Sequence, residues 1–218
     1  MGTATTETLA NVDIFCDLEA ADIARLEKRC GWKRFGRQEL IIDRQAESRE
    51  VYFIVSGKVR IVNYSMSGRE VTFDDLIAGS HFGELAALDS QPRSANVVAV
   101  EPTTVASLTH ETFRELLQEH PEVATRMMVH MAHIIRASTD RIMDLSTLGA
   151  NNRVYAELLR LAKPGIRDDN TATIRPIPIH GDIASRVSTT RETVARVLGD
   201  LSRTNVVKRD DDKLVILD

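Results

Sequence analysis

Two clusters of residues in this 218-residue chain have the types and spacing to do chemistry. The first is Phe82-Gly83-Glu84-Leu85-Ala86-Ala87-Leu88-Asp89-Ser90-Gln91-Pro92-Arg93-Ser94-Ala95. It sets a glycine beside an acid, then an apolar turn, then an arginine beside a small hydroxyl. A carboxylate such as Glu84 accepts from a sugar hydroxyl, and Gly83 lets the backbone come close to a sugar. Arg93 carries a fixed cationic fork suited to phosphate oxygens, and Ser94 adds a hydroxyl and an N–H. The alternative is that Glu84 and Arg93 form an ion pair at the end of a sheet and bind nothing.

The second cluster lies in His180-Gly181-Asp182-Ile183-Ala184-Ser185-Arg186-Val187-Ser188-Thr189-Thr190-Arg191-Glu192-Thr193-Val194-Ala195-Arg196-Val197-Leu198. Ile183, Ala184 and Val187 give a short helix an apolar face, and Val194, Val197, Leu198 and Leu201 do so for a second. A Ser-Thr-Thr turn separates them, which is the layout of a helix-turn-helix. Thr190, Arg191, Glu192 and Arg196 fall at the start of the second helix, the end that enters a major groove. An arginine grips guanine O6 and N7, and a carboxylate accepts from the cytosine amino group. Thr189 and Glu192 also stand at capping-box spacing, so Glu192 has a purely structural alternative.

Other elements must position these residues. Residues 11–29 carry Ile14, Phe15, Leu18, Ile23 and Leu26 at helical spacings. From Cys30 to Leu108 the pattern changes to short β runs broken by Ser56-Gly57, Ser67-Gly68 and Ala78-Gly79-Ser80, which predicts a jelly-roll sandwich or barrel. Thr109 or Thr112 caps a following helix, and Pro121 opens a long one expected to run to Leu148. Along it Met127, Met131, Ile134, Ser138, Arg141, Leu145 and Leu148 alternate by four and three, the period of a coiled-coil seam. Met128, Ile135 and Ile142 form a second stripe, expected to pack on the barrel. Two apolar faces on one helix imply two partners, so a homodimer is expected. The Ser138 hydroxyl either tolerates close helix approach or bonds back to its own helix, or else, with Thr139 beside it, meets a base at the dimer seam. Gly149 is expected to cap the long helix, with residues 150–152 as a hinge. Residues 166–179 suggest a turn or small hairpin, and residues 205–217 a hairpin that closes the C-terminal domain.

Composition sets limits on these readings. Apolar residues make up 43% and charged residues 28%, as in an ordinary globular protein, and no apolar run approaches a membrane span. The polar residues 1–11 lack the pattern of a secretory signal, so a cytoplasmic location is expected, with no membrane partner. Cys16 and Cys30 are expected to be buried thiols, since two cysteines fall short of a metal site. From Asn151 onward there are 12 Lys/Arg against 10 Asp/Glu, whereas the first 150 residues hold 16 against 22. The C-terminal part is therefore the nucleic-acid side. No nucleophile–base pairing points to an enzyme.

The run at 82–95 resembles the phosphate-binding cassette of cyclic-nucleotide-binding domains. With the long helix and the Arg191-Glu192-Thr193-Val194 and Arg196 array, the whole chain resembles the catabolite activator (CRP/FNR) family, closest to its cyclic AMP branch. The resemblance implies an α+β fold in three parts. Residues 1–120 would be the cyclic-nucleotide-binding jelly roll, 121–149 the dimerisation helix and hinge, and 150–218 a winged helix-turn-helix. It implies that Gly83 and Glu84 hold the ribose, Arg93 and Ser94 the cyclic phosphate, with Phe82, Leu85 and Ala95 around them. Ser138 and Thr139 would meet the base, and Arg191, Glu192 and Arg196 would read a TGTGA-type half-site in double-stranded DNA. It further implies allosteric control by cyclic AMP and contact with RNA polymerase. The family turn often has glycine where this chain has Ser188. Ile134 stands where the cyclic AMP branch can carry a basic residue, so cyclic GMP remains a second ligand. An enzyme's regulatory subunit and a constitutive DNA-binding protein are the rival classes.

Overall fold

In the computed structural model, residues 7–217 are described, so the expectation for the N-terminal stretch lies largely outside them. The chain forms two compact units. One holds the residues up to Asn63 together with Phe73–Ile134, and the other holds Tyr64–Thr72 and the residues from Ile135 onward.

Among the described residues the first unit is built on β1 Gly31–Phe35, β2 Leu40–Ile42, β3 Val51–Ser56, β4 Lys58–Tyr64, β5 Glu70–Ile77, β6 His81–Phe82, β7 Asn96–Ala99 and β8 Thr103–Leu108, with the facing ends of β4 and β5 falling in the second unit. They form two four-stranded sheets, in the orders β1-β8-β3-β6 and β2-β7-β4-β5. β3 pairs antiparallel with β8 on one side and β6 on the other, with Phe53 opposite Ala106 and His81. Val51, Tyr52, Phe53 and Ile54 are all buried, because this central strand has packing on both faces. The turn into β4 requires Gly57, at φ 89°, since a Cβ would fall 2.5 Å from the Pro102 carbonyl.

Helices α1 Ala20–Glu27 and α3 His110–Glu119 flank the sheets, and the short α2 Glu84–Asp89 follows β6. Thr109 caps α3 by accepting from the Thr112 N–H at 3.3 Å. Phe15, Phe53 and Phe113 form an aromatic centre, with ring centroids 4.8 and 6.5 Å apart in sequence order. The expected location of the cysteines is half corrected. Cys16 is exposed, beside Asp17, whereas Cys30 is partly buried and its thiol is pushed up to about 12 by that burial.

The long helix α4 runs from Pro121 to Thr147, with proline in its first turn. Its first half is phased differently from the sequence expectation, whereas Ile134, Ser138 and Leu145 of the expected seam remain exposed. Val123 and Met127 are buried in the aromatic core with Met131 packed beside them, whereas Met128, Ile135 and Ile142 are 62%, 64% and 62% exposed. The phase is set by Val123, one turn ahead of Met127, which the seam reading left out. Beyond Met131 every residue from Ala132 to Asp140 is exposed, Ile134 and Ser138 included.

The second unit contains α5 Ala150–Ala162, β9 Ala172–Ile174, α6 His180–Arg186, α7 Arg191–Arg203, β10 Val207–Asp210 and β11 Lys213–Ile216. β9 and the terminal hairpin make a three-stranded sheet in the order β10-β11-β9. Val154, Leu158, Ile183, Val187, Val194 and Val197 form the core. Glu157 is 1% exposed and paired with Arg160 at 2.8 Å and Arg186 at 3.6 Å, tying α5 to α6 through buried charge. Gly149 is not the expected left-handed cap. It has φ −66° and ψ 161° and precedes α5 as its N-cap, so residues 150–152 are the first turn of that helix rather than a hinge. In the same unit Arg69 Nη2 donates to the Thr189 carbonyl at 2.6 Å, and the Thr72 and Ser185 hydroxyls meet at 2.8 Å.

His81 on β6 is 3% exposed, its ring 4.5 Å from that of His130, and its Nε2 has no partner among the described residues. Burial holds its imidazole down to about 3. A histidine depressed in this way is neutral when folded, while the unfolded chain takes up a proton below about 6.5. Stability is therefore complete above that pH and falls as the pH drops toward the folded value. Between pH 6.5 and 5 His81 alone removes on the order of 2 kcal/mol from the first unit. Trp32, the single tryptophan, lies in that unit. Urea titrations followed by its fluorescence are expected to show this loss in the natural chain and its disappearance in His81→Phe. Equal pH slopes in the two would contradict a buried neutral His81.

Candidate functional site

The geometry around residues 82–95 follows from one glycine. β6 ends at Phe82, and Gly83 turns the chain into α2 at φ 83°. A Cβ there would lie 2.7 Å from Arg93 Nη1 and 2.9 Å from the Glu50 carbonyl. The bare backbone thus makes room for the arginine, and only glycine adopts this conformation without strain.

Arg93 is 4% exposed. Its Nε and Nη2 donate to Ser48 Oγ at 3.2 and 3.1 Å, Nη1 donates to the Gly83 carbonyl at 2.9 Å, and Nη2 donates to the Glu50 carbonyl at 2.9 Å. The guanidinium also lies 6.0 Å from the centre of the Tyr52 ring, which stacks on Phe82 at 5.1 Å. The hydrogen-bond acceptors are neutral oxygens, so the cation is positioned without being neutralised by them. The alternative of a Glu84–Arg93 ion pair is not what holds the arginine.

Glu84 opens α2 and is 7% exposed. Burial raises its carboxyl, opposed by a hydrogen bond from its own N–H and by Arg93. Ser94 is exposed and its carbonyl accepts from Asn63 Nδ2 at 3.1 Å, Ala95 is buried, and Leu85 is 37% exposed. The structure therefore brings Phe82, Gly83, Glu84 and Arg93 together, with Ser94 and Ala95 following in the chain. It adds Ser48, Glu50, Tyr52 and Asn63, which sequence reasoning missed. Ser48 and Glu50 sit in a polar stretch without a motif, and Tyr52 reads as core. Two buried oxygens here, Glu50 Oε2 and Asn63 Oδ1, have no hydrogen-bond partner among the described residues. Such a site can take an anion at Arg93 and hydrogen-bond donors beside it.

Ser138 and Thr139 lie in the second unit, on the exposed part of α4. The Thr139 hydroxyl donates to the Ile135 carbonyl at 3.0 Å, a back-bond of the kind anticipated for Ser138 beside it.

In the helix-turn-helix, α7 is capped by Thr190 rather than Thr189. Thr190 Oγ1 accepts from the Thr193 N–H at 3.3 Å, while Thr189 is buried and its N–H donates to the Ala184 carbonyl. Glu192 is held below the usual carboxylate range, first by its own N–H and then by the Thr190 hydroxyl. Arg191, Glu192, Ala195 and Arg196 are all exposed, along the first two turns. Arg196 Nη2 donates to Asn151 Oδ1 at 3.1 Å. Ser188 takes the left-handed conformation, φ 51°, that the family turn gives to glycine. Arg153 supports that turn: its Nε donates to the Val187 carbonyl at 2.8 Å and its Nη2 to the Ser188 carbonyl at 3.2 Å.

Two family profiles match, the cyclic nucleotide-binding domain over residues 32–120 and the Crp-like helix-turn-helix domain over residues 152–218. The cyclic AMP receptor protein of Thermus thermophilus is 36% identical over 158 residues, covering 72% of this chain and 70% of that one. The chain belongs to the CRP/FNR family. The CRP-like cAMP-activated global transcriptional regulator of Mycobacterium tuberculosis is 26% identical over 213 residues, covering 97% of this chain and 95% of that one. Among solved structures, a CooA variant from Carboxydothermus hydrogenoformans shares the fold, with a TM-score of 0.82 at 21% identity, covering 98% of this chain and 93% of that one. This CRP/FNR member is thus a transcriptional regulator made of a cyclic-nucleotide-binding domain and a helix-turn-helix, not an enzyme. Among the described residues no helix is long and apolar enough to cross a membrane.

Two substitutions test the local geometry. Gly83→Ala is expected to displace Arg93 and to weaken cyclic nucleotide binding at least tenfold, read by calorimetric titration, while the Trp32 signal remains that of a folded unit. Ser188→Gly relieves a left-handed serine that costs about 1–2 kcal/mol, against the extra chain entropy of glycine. It should stabilise the second unit by about 0.5–1 kcal/mol in scanning calorimetry, and a loss of stability would contradict the turn as described.

Proposed function

We propose that this CRP/FNR regulator is a homodimer that binds cyclic AMP in the first unit and, when it does so, binds a two-fold TGTGA-type operator. The observation that carries the reading is Arg93. A buried guanidinium aimed by two carbonyls and a hydroxyl, beside a buried glutamate and a glycine without room for a side chain, suits a phosphate joined to a sugar. In this reading Gly83 and Glu84 take the ribose, and Arg93 and Ser94 the cyclic phosphate, within a wall of Phe82, Leu85 and Ala95. Ser138 and Thr139 meet the base. The cyclic AMP named for the Thermus and Mycobacterium relatives supports this ligand. Ile134, an exposed apolar residue on the long helix, keeps cyclic GMP as the second candidate.

Dimerisation is supported by Met128, Ile135 and Ile142, seven residues apart and more than half exposed in the single chain. Apolar residues at that period are covered by a second helix of the same kind. A ligand that favours one pairing of these helices sets the spacing of two recognition helices, on which Thr190 caps and Arg191, Glu192 and Arg196 read the base edges. Linkage then requires that ligand and DNA strengthen each other's binding. RNA polymerase is the expected further partner.

The test is fluorescence anisotropy of a labelled two-fold operator, titrated with the full chain at one fixed salt concentration. Cyclic AMP is expected to tighten binding at least tenfold, with cyclic GMP weaker, and Arg93→Ala is expected to abolish the response. Equal binding with and without nucleotide would instead favour a constitutive DNA-binding protein.

A further inference from the structure

Glu50 enters the site twice. Its carbonyl accepts from Arg93, as described, and its carboxylate stands beside the same guanidinium, with Oε2 3.7 Å from Nη2. That oxygen is buried and has no hydrogen-bond partner among the described residues, although the side chain as a whole is 37% exposed. A carboxylate oxygen held out of water without a donor is unfavourable, so an attraction must keep it there. Among the described residues, the cation within ion-pair range of it is Arg93. The division of labour follows. Neutral oxygens take the N–H groups of Arg93, and Glu50 answers its charge.

We propose that Glu50 determines the affinity and selectivity of the phosphate site, as an internal counter-anion that an incoming phosphate must displace from Arg93. The proposal rests on reading the cassette as a cyclic-nucleotide site. A free anion such as inorganic phosphate gains at Arg93 little more than Glu50 gives up, so the exchange is close to neutral. A cyclic nucleotide brings its sugar to Glu84 and Gly83 as well, and that surplus drives the carboxylate out. The fold provides a place for it. Glu50 lines a cavity of about 360 Å³ with Glu47, Ser48, Arg49, Thr109 and His110, where the Arg49 guanidinium can receive the negative charge. The site therefore admits a phosphate attached to a nucleoside and excludes the simple anions that share its charge.

Glu50→Gln keeps the shape and the main-chain carbonyl that holds Arg93, and removes only the charge. Calorimetric titration of the full chain with cyclic AMP is expected to give about tenfold tighter binding in this variant, the effect of removing one opposing charge a few ångströms away. Inorganic phosphate is expected to compete measurably with cyclic AMP in the variant and not in the natural chain. Glu50→Ala should shift both readouts in the same direction, and Trp32 fluorescence confirms that each variant is folded. Natural and variant chains that bind cyclic AMP equally, or a variant that binds it more weakly, would overturn the role of Glu50 and leave the cassette reading intact. Phosphate competing equally with both would also overturn it. Failure of the natural chain and both variants to bind either cyclic nucleotide would overturn both readings. Binding by the Glu50 variants alone would support the gate in its strongest form.

Discussion

The first unit depends on the burial of one guanidinium. Arg93 is removed from water, and such a group is tolerated only where acceptors are already in place for its donors. That requirement reaches outward through the sheets. The Glu50 carbonyl is offered just ahead of the central strand β3, the Gly83 carbonyl where β6 leaves its pairing with β3, and Ser48 in the approach to β3. Two segments far apart in sequence, residues 48–50 and Gly83, must therefore arrive in register before the arginine can be enclosed. The apolar core beneath them, from Tyr52 and Phe82 to Val105, keeps that register.

The C-terminal unit solves a similar problem with opposite means. Arg191, Glu192 and Arg196 are exposed, and the helix that carries them is anchored from behind by Val194 and Val197. Glu157 adds a buried charge between two arginines, an arrangement that is costly to break and that fixes the angle of α5 against α6. These exposed residues can then be polar without weakening the fold, because none of them contributes to the core.

Much of this was legible in the sequence because it rests on local chemistry. Gly83 beside Glu84, a proline at the start of α4 and a threonine ahead of α7 each announce a backbone event within a few residues. What stayed hidden depends on contacts distant in sequence. Ser48 and Glu50 lie in an unpatterned polar stretch, and only the pairing of β3 with β6 puts them against Arg93. The phase of α4 was misassigned for a related reason: Met127 and Met128 are adjacent and equally apolar, so periodicity alone cannot say which meets the core. Val123 decides it, by packing under α3. The cap of α7 moved from Thr189 to Thr190 because Thr189 completes the preceding turn through its own N–H. Gly149 was taken for a helix end because glycine so often ends one, yet its extended backbone begins the next.

Arg153 gives that last point a mechanical side. Its guanidinium reaches the Leu148 carbonyl at 2.8 Å as well as Val187 and Ser188, so one side chain bolts the end of the long helix to the turn of the DNA-reading motif. The break in the helix at Leu148 and Gly149 is consequently not a loose swivel. Turning the end of α4 against that turn would break three hydrogen bonds to one arginine.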